Sequence, residues 1–256
     1  MQMILIVLLL SASCLGFPNI GDPSQHLEGR LIGGVNVDIE NYPYQLSLEY
    51  LGHPWSGAAI VSNNWAVTAA HSVQGLQSSI MKSFTYKQLN TEMTLGTMHP
   101  ASEIIIHPNF KEDPYDFDVA LVKVSTPFTF GAEVAAITLA TEAPKEGELG
   151  SMVGWGYTNN GGGSLSSHIQ VVSLPIVGRV ECDEKYGVPD GLGETFICIG
   201  YDLGGKDVCS YDAGGPYVVG GKLVAIMAGS SSCNTGGYPQ IYTNATAVAD
   251  FINNNI

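Results

Sequence analysis

The run Cys209-Ser210-Tyr211-Asp212-Ala213-Gly214-Gly215-Pro216 packs a cysteine, an acid, two adjacent glycines and a proline into eight residues. Paired glycines before a proline read as a tight turn carrying a constrained backbone. Around this turn lies a chain of 256 residues, long enough for one large domain or two lobes. Charged residues make up 13 %, glycine occurs 31 times, and short apolar runs alternate with turn clusters. That pattern favours strands and loops over long helices. Taken alone it does not choose between β-barrels and a β-sandwich. The net charge of −14 speaks against nucleic acid or an anionic membrane as partner.

The N-terminus has its own logic. Residues 1–16 read as a secretory signal: the apolar core Ile4 to Leu10 is too short to span a bilayer, and Cys14 and Gly16 are small enough to precede a cut at Phe17. Residues 17–30 are polar and lack apolar periodicity, as a propeptide would. If Cys14 leaves with the signal, four of the five cysteines remain, an even number suited to an oxidising compartment. A secreted, extracellular monomer is expected, with no membrane partner.

Outward from the turn, further stretches fall in a definite order. Arg30-Leu31-Ile32-Gly33-Gly34 follows the polar segment, and Pro43 to Leu48 alternates as a strand would. Trp55-Ser56-Gly57 precedes Trp65-Ala66-Val67-Thr68-Ala69-Ala70-His71-Ser72. Asp118-Val119-Ala120-Leu121 starts an apolar strand, and Asp116 lies two residues earlier. Met152-Val153-Gly154-Trp155-Gly156 comes before the glycine-paired turn, and Gly237 to Tyr242 after it. Val248, Phe251 and Ile252 close the chain at helical spacing.

Together these stretches resemble the trypsin-like serine proteases, whose nucleophile loop reads Cys-Gln-Gly-Asp-Ser-Gly-Gly-Pro. The resemblance covers the chain from Leu31 to Ile256. It implies an all-β fold of two antiparallel six-stranded β-barrels with a short C-terminal helix, residues 31–256 forming the protease domain. It implies a triad of His71, Asp118 and residue 213, in the order that this family uses. It implies disulfides Cys182–Cys198 and Cys209–Cys233. It also implies activation by cleavage after Arg30, the new terminus at Leu31 pairing with Asp212. No cofactor and no metal are expected.

Several positions depart from the family pattern. Ala213 stands where the nucleophilic serine is expected, leaving His71 and Asp118 as triad remnants, a loss costing about 10⁶ in turnover. Tyr211 replaces a glycine of the oxyanion hole, and one lost donor costs about 10²–10³. In the specificity pocket Asp207 matches the acid that selects arginine or lysine. Gln240 replaces a glycine and is expected to fill the pocket, its amide reaching Asp207. Ala228, Gly229 and Ser230 replace the lining serine, the platform tryptophan and a glycine. Ser56 and Ser72 replace the cysteines that brace the histidine loop, so that His71 is expected to be held less rigidly.

On these departures the chain is expected not to be an enzyme, but a secreted, zymogen-like serine protease homologue, a pseudoenzyme that binds host proteins. The alternative is a secreted trypsin-like endopeptidase carrying an inactivating change at Ala213. The finer likeness is to the group 3 mite allergens and the scabies mite inactivated serine protease paralogues, which implies immune evasion and complement components as partners. Contact is expected through the stretches Lys82 to Met98 and Asn159 to Ser167. Asn244-Ala245-Thr246 is a sequon for glycosylation.

Overall fold

Leu46 and Leu48 alternate along the strand Gln45–Tyr50 and are fully buried on one face, as a period of two requires. The computed structural model describes residues 34–89, 92–112, 115–155, 168–187, 192–201, 212–229 and 238–256. Six antiparallel strands close a first barrel, in ring order Gln45–Tyr50, His53–Ile60, Trp65–Thr68, Ala120–Val124, Glu92–Ile106 and Met81–Leu89. Six more close a second: Gln170–Val177, Leu149–Gly154, Pro216–Val219, Lys222–Gly229, Gln240–Asn244 and Phe196–Ile199. Closure removes the exposed edges that open sheets must protect. The two-barrel fold expected from the sequence is the fold observed.

Alternation also explains how the barrels meet. Ala58, Ile60, Ala66, Ala120 and Val122 point into the first barrel. Their neighbours Ala59, Trp65, Val67, Val119 and Leu121 face out, into a core shared with Val218, Leu223 and Ile226 of the second barrel. Strands apolar on both faces are what a barrel wall needs where it is covered. The second barrel is filled by Met152, Val172, Leu174, Tyr217, Met227 and Tyr242. Helix α3 (Ala249–Asn255) docks through Val248 and Ile252 against the shared core, with Phe251 half-buried beside them. Among the described residues no helix is long and apolar enough to cross a membrane.

Two features differ from expectation. Lys82 to Met98, expected as a contact loop, falls in two long antiparallel strands, with Lys82 paired to Pro100 and Phe84 to Met98. Its inward positions are polar: Ser83 and Thr85 are buried and bond the carbonyls of His99 and Thr97, so no apolar period announced a strand. A helix α2 (Arg179–Tyr186) also precedes the second barrel's last strands, ended by Gly187 in the left-handed conformation. It carries Cys182, which is bonded to Cys198 as expected, with Cα atoms 6.0 Å apart.

Candidate active site

The short helix α1 (Ala70–Val73), one residue after the strand Trp65–Thr68, carries His71 at the end of that barrel strand. Asp118 immediately precedes the strand Ala120–Val124, the neighbour of Trp65–Thr68 in the ring. Strand pairing thus brings together two residues that are 47 apart in the chain. The Asp118 carboxylate accepts twice from His71: Oδ1 from the backbone N–H at 2.8 Å and Oδ2 from ring Nδ1 at 2.7 Å. Asp118 is 0 % exposed and His71 25 %. A buried carboxylate holding Nδ1–H fixes the ring's orientation and leaves Nε2 with its lone pair, the form that acts as a general base.

The backbone around Asp118 is shaped for this. Phe117 has φ +51°, a left-handed conformation that costs a non-glycine residue about 1 kcal/mol or more. Its ring stacks on His107 at 4.6 Å, and its N–H is met by Thr195 Oγ1 at 3.0 Å. The bend separates two acids: Asp116 accepts from the Thr195 hydroxyl, and Asp118 turns to His71. Thr243 donates from Oγ1 to the Asp118 carbonyl at 2.9 Å, tying it to the second barrel.

The glycine-paired turn packs against the strands that lead to α1. Gly57 N–H donates to the Ala213 carbonyl at 2.8 Å, and Thr68 Oγ1 to the Gly57 carbonyl at 2.8 Å. Gly214 has φ +79°, and a Cβ there would come within 2.1 Å of Thr68 Oγ1. Only glycine fits so close an approach in that conformation. Ala213 is half-buried. Asp212 is buried, and a Cβ on Gly154 would stand 2.2 Å from its Oδ1. Strand and turn signatures that are far apart in sequence thus share one packing site.

Ser72 was missed as a functional group by sequence reasoning. Its Oγ lies 3.2 Å from His71 Nε2. With Nδ1–H committed to Asp118, Nε2 accepts and the Ser72 hydroxyl donates. Ser56, the other half of the replaced bridge, is 3 % exposed, and its Oγ has no partner among the described residues. The Trp55 indole donates to the Ser72 carbonyl. The histidine loop is therefore braced by hydrogen bonds in place of the bridge. The signal was present in the dipeptide His71-Ser72, but reading Ser72 only as a lost cysteine hid it.

Of the residues expected to line the specificity pocket, Gln240 is buried, and its Oε1 accepts from the Tyr242 hydroxyl at 3.3 Å. Ala228 is buried beside Cys182 and Cys198. Gly229 has open space where a Cβ would stand. Asp207, Tyr211, Ser230, Cys209, Cys233, Arg30 and Leu31 lie outside the described residues, as do residues 1–30 and the stretch Asn159 to Ser167. At Asn244 the side chain closes a local turn, Oδ1 accepting from Thr246 N–H and Oγ1.

Comparison with known proteins adds the family. The family model described as trypsin matches residues 31–252. Trypsin alpha-4 of Lucilia cuprina is 31 % identical over 96 % of both chains. Hypodermin-B of Hypoderma lineatum is 33 % identical over 98 % of this chain and 97 % of its own. Trypsin delta of Drosophila melanogaster is 32 % identical over 90 % and 89 %. These relatives correct the expectation that the chain is not an enzyme: similarity over nearly its whole length to proteins named as trypsins points to a serine protease. The departure at residue 213 is local, within a site whose base pair is intact. The chain belongs to the trypsin family of serine proteases.

Proposed function

We propose that this chain is a secreted trypsin-type serine endopeptidase whose sequence carries alanine at the nucleophile position. The observation that supports it most is the pair of hydrogen bonds from His71 to buried Asp118, which orients the ring as a general base requires. In acyl transfer a hydroxyl attacks the scissile carbonyl, Nε2 takes its proton, and Asp118 stabilises the imidazolium that results. Asp207 assigns substrates with arginine or lysine before the cleaved bond. The turn that would present residue 213 is kept, with Gly214 and Gly215 hydrogen-bonded to Met227 and Asp212.

The test is Ala213→Ser, assayed with arginine thioesters against the unmodified chain. Removing a nucleophile costs about 10⁶ in turnover, while an oxyanion donor impaired at Tyr211 withholds about 10²–10³. The variant should therefore gain about 10³–10⁴-fold. No gain in a folded variant would refute the reading. Secretion rests on residues 1–16. The finer likeness to mite proteins, and host or complement proteins as partners, are proposals carried by sequence motifs alone.

A further inference from the structure

We infer that Ser72 is a second nucleophile, activated by His71 and Asp118, which reacts with small activated acyl and phosphoryl compounds. Three observations carry this. Ser72 Oγ sits 3.2 Å from His71 Nε2, within reach of proton transfer. The opposite ring nitrogen is held at 2.7 Å by a fully buried carboxylate, so that the hydroxyl is the donor and the ring the acceptor. The hydroxyl has not turned to the residue opposite it in the family's bridge, since Ser56 Oγ is buried without a partner among the described residues. Aspartate, histidine and serine thus form one relay, with the serine adjacent in sequence to the base.

Ser72 is 8 % exposed, against 25 % for the His71 side chain. Access on this scale admits a flat aryl ester or a fluorophosphonate rather than an extended peptide. With an aryl acetate, Oγ bonds to the acyl carbon and its proton passes to Nε2. The C–O bond to the aryl oxide breaks, and the oxide leaves with the proton from the imidazolium. Water then attacks acetyl-Ser72, giving a proton to Nε2. Acetic acid departs as Oγ recovers that proton, and the relay is restored. With a fluorophosphonate, Oγ bonds to phosphorus as the P–F bond breaks, fluoride leaves with the proton taken up by Nε2, and the phosphonyl-serine persists.

The inference rests on the reading of His71 and Asp118 as an acid–base pair, and the test separates the two. The purified mature protein is treated with a biotinylated fluorophosphonate and digested, and the adduct is located by mass spectrometry. In parallel, 4-nitrophenyl acetate hydrolysis is followed in the unmodified chain, Ser72→Ala, His71→Ala and Ala213→Ser. The expected result is a label on Ser72, absent from Ser72→Ala and His71→Ala. Ester hydrolysis should fall about 10²–10⁴-fold in both, the size of a general-base contribution. No label, or a label that persists in His71→Ala, overturns the inference. If Ala213→Ser cleaves arginine thioesters while the unmodified chain takes no label at Ser72, the second nucleophile fails and the protease reading stands.

Discussion

Replacing Ser56 and Ser72 together with cysteine should stabilise the protein strongly under oxidising conditions. The two positions are sixteen residues apart in the chain. Closing a loop of that length removes about 3 kcal/mol of unfolded-state entropy. Ser56 adds a second contribution. Its hydroxyl is buried with no partner among the described residues, and an unsatisfied buried hydroxyl costs about 1–3 kcal/mol. For a domain of this size each kcal/mol moves the melting temperature about 2–4 °C, so the bridge alone predicts a rise of about 6–12 °C. The assay is thermal unfolding of the oxidised double variant beside the unmodified chain, with bridge formation confirmed by mass. Ser56→Ala serves as a control for the hydroxyl and should be neutral or stabilising. A bridge that forms without raising the melting temperature would refute the loop-closure argument. The double variant should also lose the aryl-ester activity assigned to Ser72.

Three further outcomes are expected. Gln240→Gly should gain affinity for benzamidine, measured by calorimetry, because Gln240 is buried against the Tyr242 hydroxyl where a glycine would leave the pocket open; tight binding to the unmodified chain would show the pocket already open. Tyr217 donates its buried hydroxyl to the Leu174 carbonyl at 2.7 Å, so Tyr217→Phe should cost about 0.5–1.5 kcal/mol in urea unfolding at neutral pH. Burial raises the Tyr217 pKa above the ordinary 10.0: the unfolded chain ionises first, stability is lost as pH climbs past 10, and Tyr217→Phe should flatten that limb. The carboxyl of Asp183 is held below the ordinary 3.8 by the Leu192 N–H and then by Arg179. Its stabilisation is present above that pH and lost as pH falls through the folded value, and Asp183→Asn should flatten the acid limb.

The fold was legible because its motifs carry their own physics. Gly57, Gly154 and Gly214 stand where backbone or carboxylate leaves no room for a side chain. The order of His71, Asp118 and the glycine-paired turn marked the site before any geometry was known, and strand pairing explains why that order works. What stayed hidden depended on polar atoms that periodicity does not reveal. Ser83 and Thr85 point inward in a strand without an apolar period. Helix α2 buries little besides Cys182, so its helical spacing left no apolar stripe. Ser72 was read as what it replaced, and its hydroxyl lies 3.2 Å from His71 Nε2.

The central claim is that His71 and Asp118 form a working acid–base pair, and kinetics of Asp118→Asn in the Ala213→Ser background test it most directly. Asparagine keeps the shape but offers an N–H where the ring needs an acceptor, which favours the wrong tautomer. The account predicts that kcat on arginine thioesters loses most of the gain that Ala213→Ser brings, a fall of about 10³-fold, with the fold retained. Turnover equal to that of Ala213→Ser alone would contradict it.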